Sequence, residues 1–435
     1  MQYINIEKLR HLLMKTDEYS ALAVEYGFHA EAAELADTVA ATLQDTITTL
    51  QKLTEHAETT AEPNDYAAIR ALCSSAKTPP ALAPLNPDTL PQKMAGALLG
   101  RFIGCTLGAP VEMWSVADME ALAAYQGMDF PPRDYWKMVD RPWHLRYGVD
   151  TIEKYTRDGI DGVPVDDDIT YTILGLLIVE KYGYHFTTED VGDIWKDLLP
   201  YACTAEDVAL RNLNAGVPAK QAGELDNPYC LWIGADIRAD GFGYTAAGNP
   251  TLAAKMGYYD AYLSHRRGGI YGEMYFAAAI AAAFAVTDPI EALKIAMAEI
   301  PATCTLYKDL AWAFEVGASF ADYKEARAAV DARFAGMSPV HTNNNACLTV
   351  FGLMLGKGDF TETIANVIAL GLDNDCTGAT AGSIIGAIVG EKGIAPHWTK
   401  NFKNTVRTYL NGLPALPIDQ VVTRFIKLAQ NQPKH

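Results

Sequence analysis

Basic clusters are missing from this sequence: 35 Lys and Arg face 53 Asp and Glu, a net charge of −18, and no stretch concentrates positive charge. That disfavours a nucleic-acid duplex or an anionic membrane as a partner, since both reward a basic surface. Paired cysteines are missing too. The seven at 73, 105, 203, 230, 304, 347 and 376 are odd in number, dispersed and free of any CxxC pair. They fit reduced thiols in a cytoplasmic protein and not a disulfide framework or a zinc site. The opening MQYINIEKLRHLLMK lacks the continuous apolar core and small-residue cleavage site of a signal peptide. Two apolar stretches, Phe276–Val286 and Thr377–Gly390, fall short of the roughly 20 residues that span a bilayer. A soluble, cytoplasmic protein is expected, with an oligomeric state that composition leaves open.

Alternating Val/Ile/Thr runs bounded by NG or DG turns are nearly absent as well, which argues against a substantial sheet. What is present is a series of long apolar segments at helical spacing, joined by irregular stretches rich in Gly, Pro, Asp and Asn. The expected fold is all-α, with the chemistry on loops and helix starts. Residues 4–54 have helix-like spacing, and Pro79, Pro80, Pro84, Pro87 and Pro91 then break any helix pattern. The boundary is placed there: residues 1–90 form a helical extension with a Pro-rich linker, without a cluster that suggests chemistry, and 91–435 form the main all-α domain.

The densest negative charge opens apolar helices. In VDDDITYTILGLLIVEKYG, Asp166, Asp167 and Asp168 stand directly before a segment whose apolar positions run nearly all round, the mark of a buried helix. One Asp suffices to cap a helix and to face its dipole. Three adjacent carboxylates leaving water repel one another and need a positive partner. Far downstream, GLDNDCTGATAGSIIGAIVG places Asp373 and Asp375 before another apolar helix, whose glycines at 378, 382, 386 and 390 line one face. Tight backbone packing is the favoured account of the glycines. For the carboxylates, the two helix starts together could surround hard divalent cations such as Mg2+ or Mn2+, which take oxygen ligands. At a helix start neighbouring side chains can turn to one point, whereas in mid-helix they fan out by about 100° per residue. A further polar stretch, HTNNNACLTVFG from His341, leads into an apolar segment; helix capping by Asn is the simpler account, and lining the pocket opposite Glu112 is the alternative.

Taken together, these motifs resemble those of the ADP-ribosylglycohydrolase family. GALLGRFIGCTLGAPVE, Gly96 to Glu112, is similar to the family's GxxxGDxxGxxxE opening, and DDDITYT, Asp166 to Thr172, stands where the family has TDDTxMT. GADIRADGFGY from Gly234 follows, then DAYLSHRRGGIYGEMYFAAAIAAAF, which contains His265. GLDNDCTGATAGSIIGA resembles GxDTDTxAxxxGAxxGA. Order and spacing carry the resemblance over roughly two thirds of the chain.

The resemblance implies an all-α hydrolase with a two-metal centre, Mg2+ or Mn2+, cleaving the bond between the anomeric carbon of ADP-ribose and its acceptor. It implies metal ligands at Asp166, Asp167, Asp168, Asp373 and Asp375, with Glu112 on a flexible loop and Asp168 and Asp375 joining it at the reacting bond. Gly234, Arg238 and His265 match substrate-side positions, Arg238 being equally well read as an ion pair within DIRAD. The implied partners are an ADP-ribosylated protein or a small ADP-ribosyl or ribosyl substrate. Three positions depart from the pattern: Cys105 for the Asp of GD, Asp166 for Thr, and Cys376 for the Thr that supplies a third C-terminal ligand. A large bacterial branch of the family, with DDD and DxDC forms, is similar here. A thiol is a poor partner for Mg2+, so either Cys376 contributes only its backbone or a water takes its place. Two other readings stay open: a hydrolase of another ribosyl or nucleoside-like metabolite, and a non-catalytic protein on the same fold.

Overall fold

The computed structural model describes residues 7–55, 60–73, 82, 84–138 and 152–433. Pro79 and Pro80 of the expected boundary lie outside the described residues. Nineteen α-helices and one two-stranded hairpin are found among the described residues, the hairpin pairing Thr405–Arg407 with Ala415–Pro417 in antiparallel register. The expected all-α class holds.

Two compact units divide the chain, one comprising residues up to Thr60 with Phe334–Met337, the other Ala61–Arg333 with Ser338–His435. The smaller unit contains the helices Glu7–Glu25 and His29–Glu55, turned at Gly27, whose φ of +92° favours glycine. Several of its large apolar side chains, among them Leu9, Leu12, Leu13, Leu50 and Leu53, are exposed. The division falls ahead of the Pro-rich stretch, because residues 61–73 are bonded into the larger unit. Glu62 Oε1 accepts from Thr305 N–H and Oγ1–H at 2.6 Å each, Asn64 Oδ1 accepts from Arg267 N–H at 2.8 Å, and Arg70 pairs with Glu299 at 2.5 Å. Pro91, one of the prolines behind the expected boundary, sits in the first turn of a helix, where its missing N–H has no intrahelical role.

The centre of the larger unit is a crossing of two glycine-bearing helices, Leu90–Gly108 and Asn374–Val389. Gly96, Gly100 and Gly104 on the first face Gly386, Gly382 and Gly378 on the second. A Cβ at these three positions of the first helix would lie 2.3, 2.1 and 1.9 Å from the facing carbonyl oxygens. Only glycine permits this approach, so tight packing explains the stripe, as expected. The first helix and its extension, Leu90–Val111, are long and apolar enough to cross a membrane, yet 89% of the apolar window is buried inside the protein, as befits a core helix. One turn beyond the crossing, a Cβ on Gly108 would meet Asp375 Cα at 2.5 Å. The same packing that buries the glycines therefore carries the Cys105–Glu112 segment onto the acidic start of the C-terminal helix.

Candidate metal centre

The helix Asp167–Tyr182 is capped by Asp166, whose Oδ1 accepts the Asp168 N–H at 3.0 Å. Asp167 Oδ1 accepts from the same N–H at 3.1 Å. Two carboxylates thus share the capping amide, where one would suffice, and Asp168 remains. The helix Asn374–Val389 behaves differently: Asp373 holds the N-cap position but makes no side-chain cap bond, and its Oδ1 is buried without a hydrogen-bond partner. Asp375 Oδ1, in the first turn, is likewise buried and unpartnered. Buried carboxylate oxygens without donors are strongly disfavoured unless a cation or a proton compensates them.

Three sets of ligand atoms converge here, each within 4.8 Å: Glu112 with Asp373 and Asp375, Asp168 with Asp375 and Cys376, and Cys105 with Asp166 and Asp168. Shared members Asp375 and Asp168 make them one continuous cluster. Four of the five expected metal ligands and Glu112 are gathered in it. Asp167 lies outside these three sets, bound to the Asp168 amide. Asp168 differs from the others, because Arg101 donates to its Oδ1 at 3.0 Å and Cys376 Sγ–H to its Oδ2 at 3.2 Å. Arg101, fully buried, also pairs with Asp240 at 2.8 Å and donates to the Ile237 carbonyl at 2.6 Å. Among the described residues none of Glu112, Asp166, Asp167, Asp373 and Asp375 forms an ion pair.

Burial pushes every one of these carboxyls above the ordinary carboxylate range. For Asp375 the charges of Glu112 and Asp373 add to burial, and for Asp166 those of Asp167 and Asp168. Desolvation first, then Asp373 and Asp167, raise Glu112 to about 7. Glu112 is an exposed residue, so solvent moderates that push. All these shifts have the sign expected of a site short of positive charge. The oxygen-rich donor set, its convergence and its unpartnered oxygens fit divalent cations.

The substrate-side residues expected from the sequence gather around a second buried charge. Arg238 donates to Asp260 Oδ2 at 2.5 Å, Glu206 Oε1 at 2.7 Å and Glu273 Oε2 at 3.4 Å, and is 1% exposed. It is an ion-pair residue, though with distant carboxylates and not with those of DIRAD. With its donors engaged and solvent excluded, a substrate contact by Arg238 does not fit this position. Gly234 is required by the same network: a Cβ there would lie 2.2 Å from Glu206 Oε1. His265 is fully buried, its Nδ1 at 2.8 Å from Ser264 Oγ, and burial followed by Arg238 and Arg266 holds it well below its usual range, hence neutral.

Asp236, two residues before Arg238, escaped the sequence reading. Both its carboxylate oxygens are buried without partners, and the Asp373 charge adds to burial in raising its carboxyl well above the ordinary range. Its only trace in the sequence is its place within GADIRAD, beside Arg238. Asn345 was visible only as part of an Asn-rich stretch. The cap of helix Thr342–Gly356 is His341, whose Nδ1 accepts the Asn343 N–H, and not an Asn. Asn345 Oδ1 instead accepts the Asp373 N–H at 3.4 Å, and its Nδ2 donates to the Pro339 and His341 carbonyls, tying this loop to the acidic helix start.

The ADP-ribosylglycohydrolase family model matches residues 86–432. Among solved structures, an "ADP-ribosylglycohydrolase-related protein complex" is similar in fold, with a TM-score of 0.51 and 19% identity over 79% of this chain and 99% of that chain. A comparison with curated proteins gives no match.

Proposed function

The chain belongs to the ADP-ribosylglycohydrolase family, and from that membership we propose a divalent-metal-dependent hydrolase that cleaves an ADP-ribosyl or related ribosyl glycosidic bond at a two-cation centre. The observation that carries this is the convergence of Glu112 with Asp373 and Asp375, more than 250 residues apart in sequence, at buried oxygens with no donor. Asp373 and Asp375 would hold one cation with Glu112, and Asp375 would share a second with Asp168. When bound, Mg2+ or Mn2+ would supply positive charge that orients the ribose hydroxyls and acidifies water. Glu112, at the solvent-facing edge of the cluster, accepts a proton from the attacking water, whose oxygen bonds the anomeric carbon as the glycosidic bond breaks and the acceptor leaves with the bonding pair, taking a proton from solvent. The surrounding carboxylates favour the positive charge that develops on the ribose in an oxocarbenium-like transition state. Arg101 fixes the Asp168 carboxylate, and Asn345 fixes the backbone that presents Asp373.

Residues 1–60 are proposed to influence assembly or access without supplying reacting groups, and the seven free cysteines support a reducing, cytoplasmic location. The test is a panel of ADP-ribosylated proteins, free ADP-ribosyl compounds and simple ribosides, assayed after chelator stripping with and without Mg2+ or Mn2+. Metal-dependent release of ribosyl product from an ADP-ribosyl member is expected. Hydrolysis confined to simple ribosides would move the substrate class, and turnover indifferent to chelation would sink the proposal.

A further inference from the structure

Cys376 places a sulfur in the cluster, at the position where the family's pattern has a Thr. Its Sγ lies within ligand range of Asp168 and Asp375, all three atoms within 4.8 Å, and 3.2 Å from Asp168 Oδ2. The neighbouring set, Glu112 with Asp373 and Asp375, contains oxygen alone. Asp375 belongs to both, so two adjoining positions share one carboxylate and differ in the hardness of their other donors. A second sulfur, Cys105, stands in a third set with Asp166 and the shared Asp168. Independently of either cysteine, Asp375, a member of the sulfur-containing set, is 6% exposed and has one carboxylate oxygen, Oδ1, buried without a partner.

Resting on the metal reading of the same site, we infer that the two cation positions are chemically unequal: the Glu112–Asp373–Asp375 position takes a hard ion, Mg2+ or Mn2+, and the Asp168–Asp375–Cys376 position takes a thiophilic ion of the zinc class. Hard cations prefer oxygen and keep their waters, whereas thiolate ligation selects softer ions. On binding, the Cys376 S–H bond breaks, its proton passes to solvent and the sulfur lone pair forms the metal bond. The hydrogen bond to Asp168 Oδ2 is lost in that exchange, freeing this oxygen for the same ion, while Oδ1 stays with Arg101. No oxidant or reductant is involved.

The experiment uses full-length protein stripped with chelator, in a Cys203→Ser background that removes the exposed thiol. Cd2+ is added alone, and the ultraviolet charge-transfer band of a cadmium–thiolate bond is followed. The band is expected in the Cys376-containing protein and absent from Cys376→Ser; Zn2+ should abolish it by displacement and Mg2+ should not. The Zn2+ concentration for half-maximal thermal stabilisation should rise roughly tenfold or more in Cys376→Ser, with the Mg2+ midpoint unmoved. Cys376→Thr, which restores the family's hydroxyl, serves as a second variant should Cys376→Ser not fold. Mg2+ stabilisation with no cadmium band would overturn the sulfur assignment alone. A band that survives loss of Cys376 and disappears in Cys105→Ser would also overturn it, by moving the soft ligand. Absence of stabilisation by any divalent ion would instead be the failure of the metal reading itself.

Discussion

Glu112 and Cys376 show how differently a residue can be defined by its neighbours. Glu112 reaches the cluster from a loop just after the helix Leu90–Gly108, at the solvent-facing side, while the buried Asp373 and Asp375 lie beneath it. Glu112→Gln retains size and hydrogen-bonding reach but removes the basic charge, so turnover should fall by roughly 10²–10⁴. Thermal stabilisation by divalent ions should persist, because the Asp pair remains. A variant that turns over at the parental rate would demote Glu112 to a loop residue and pass proton transfer to the metal-side aspartates. At the same scale, Arg238 could be read from its motif as a substrate contact or as an ion pair, and three buried carboxylates within 3.4 Å favour the ion pair. A single charge of that sort holds its surroundings together more than it contributes to binding, since removing it leaves several buried anions unpaired.

The two glycine helices act as one element in positioning the site. Leu90–Gly108 and Asn374–Val389 touch backbone to backbone, so the start of the second helix is held against the end of the first. Gly104→Ala would put a Cβ 1.9 Å from Gly378 O, a backbone atom that no rotamer change can move aside. We expect destabilisation of about 1–3 kcal/mol or more from overpacking, together with weaker stabilisation by divalent ions as the Glu112 loop shifts from Asp375. Gly268→Ala is the control, because its Cβ would meet nothing nearer than 3.7 Å. Urea melts with and without Mg2+ decide the matter, and equal effects of the two substitutions would refute the proposed coupling of packing to the site. The Asp-rich helix start contributes differently: its first carboxylate caps, its third is clamped by Arg101 from across the core, and the peptide between them is fixed by the cap.

Charge at the scale of the whole molecule sets its response to pH and to truncation. Glu206 lies against Arg238, and burial outweighs that attraction, pushing its carboxyl up to about 7 from 4.5. Between those values the folded protein retains a proton that the unfolded chain has released. The contribution of this group is therefore fully present below about pH 4.5 and is lost as pH rises through 7. Its loss amounts to on the order of 3 kcal/mol, which comparison of urea melts at pH 4.5 and pH 8 should register. Glu206→Gln should flatten that difference, and an unchanged slope in the variant would contradict the assignment. Truncation tests the division of the chain. Removing residues 1–60 should leave the melting temperature of the larger unit and its response to metal unchanged. Removing 1–90 deletes Glu62, Asn64 and Arg70 and the bonds they make to Thr305, Arg267 and Glu299, so the melting temperature should drop by several degrees. Identical melting of the two truncations would return the boundary to the Pro-rich stretch.

Local patterns determined much of this protein: the helical class, the buried character of the segments after Asp168 and Asp375, the close packing of the glycine stripe and the surplus of carboxylates at two helix starts. Each depends on residues within a few turns of one another, where periodicity and capping act directly. Only the tertiary structure decided which distant groups meet. It placed Arg101 on Asp168 and Asp240, closed Glu206, Asp260 and Glu273 around Arg238, left Asp236 without a donor and set Cys376 beside a carboxylate more than 200 residues away. The physical reason is that an ion pair or a shared ligand position leaves no periodicity in the chain. Its partners are chosen by helix crossings, and those crossings are set by contacts between glycine faces whose own spacing says nothing of the charges they bring together.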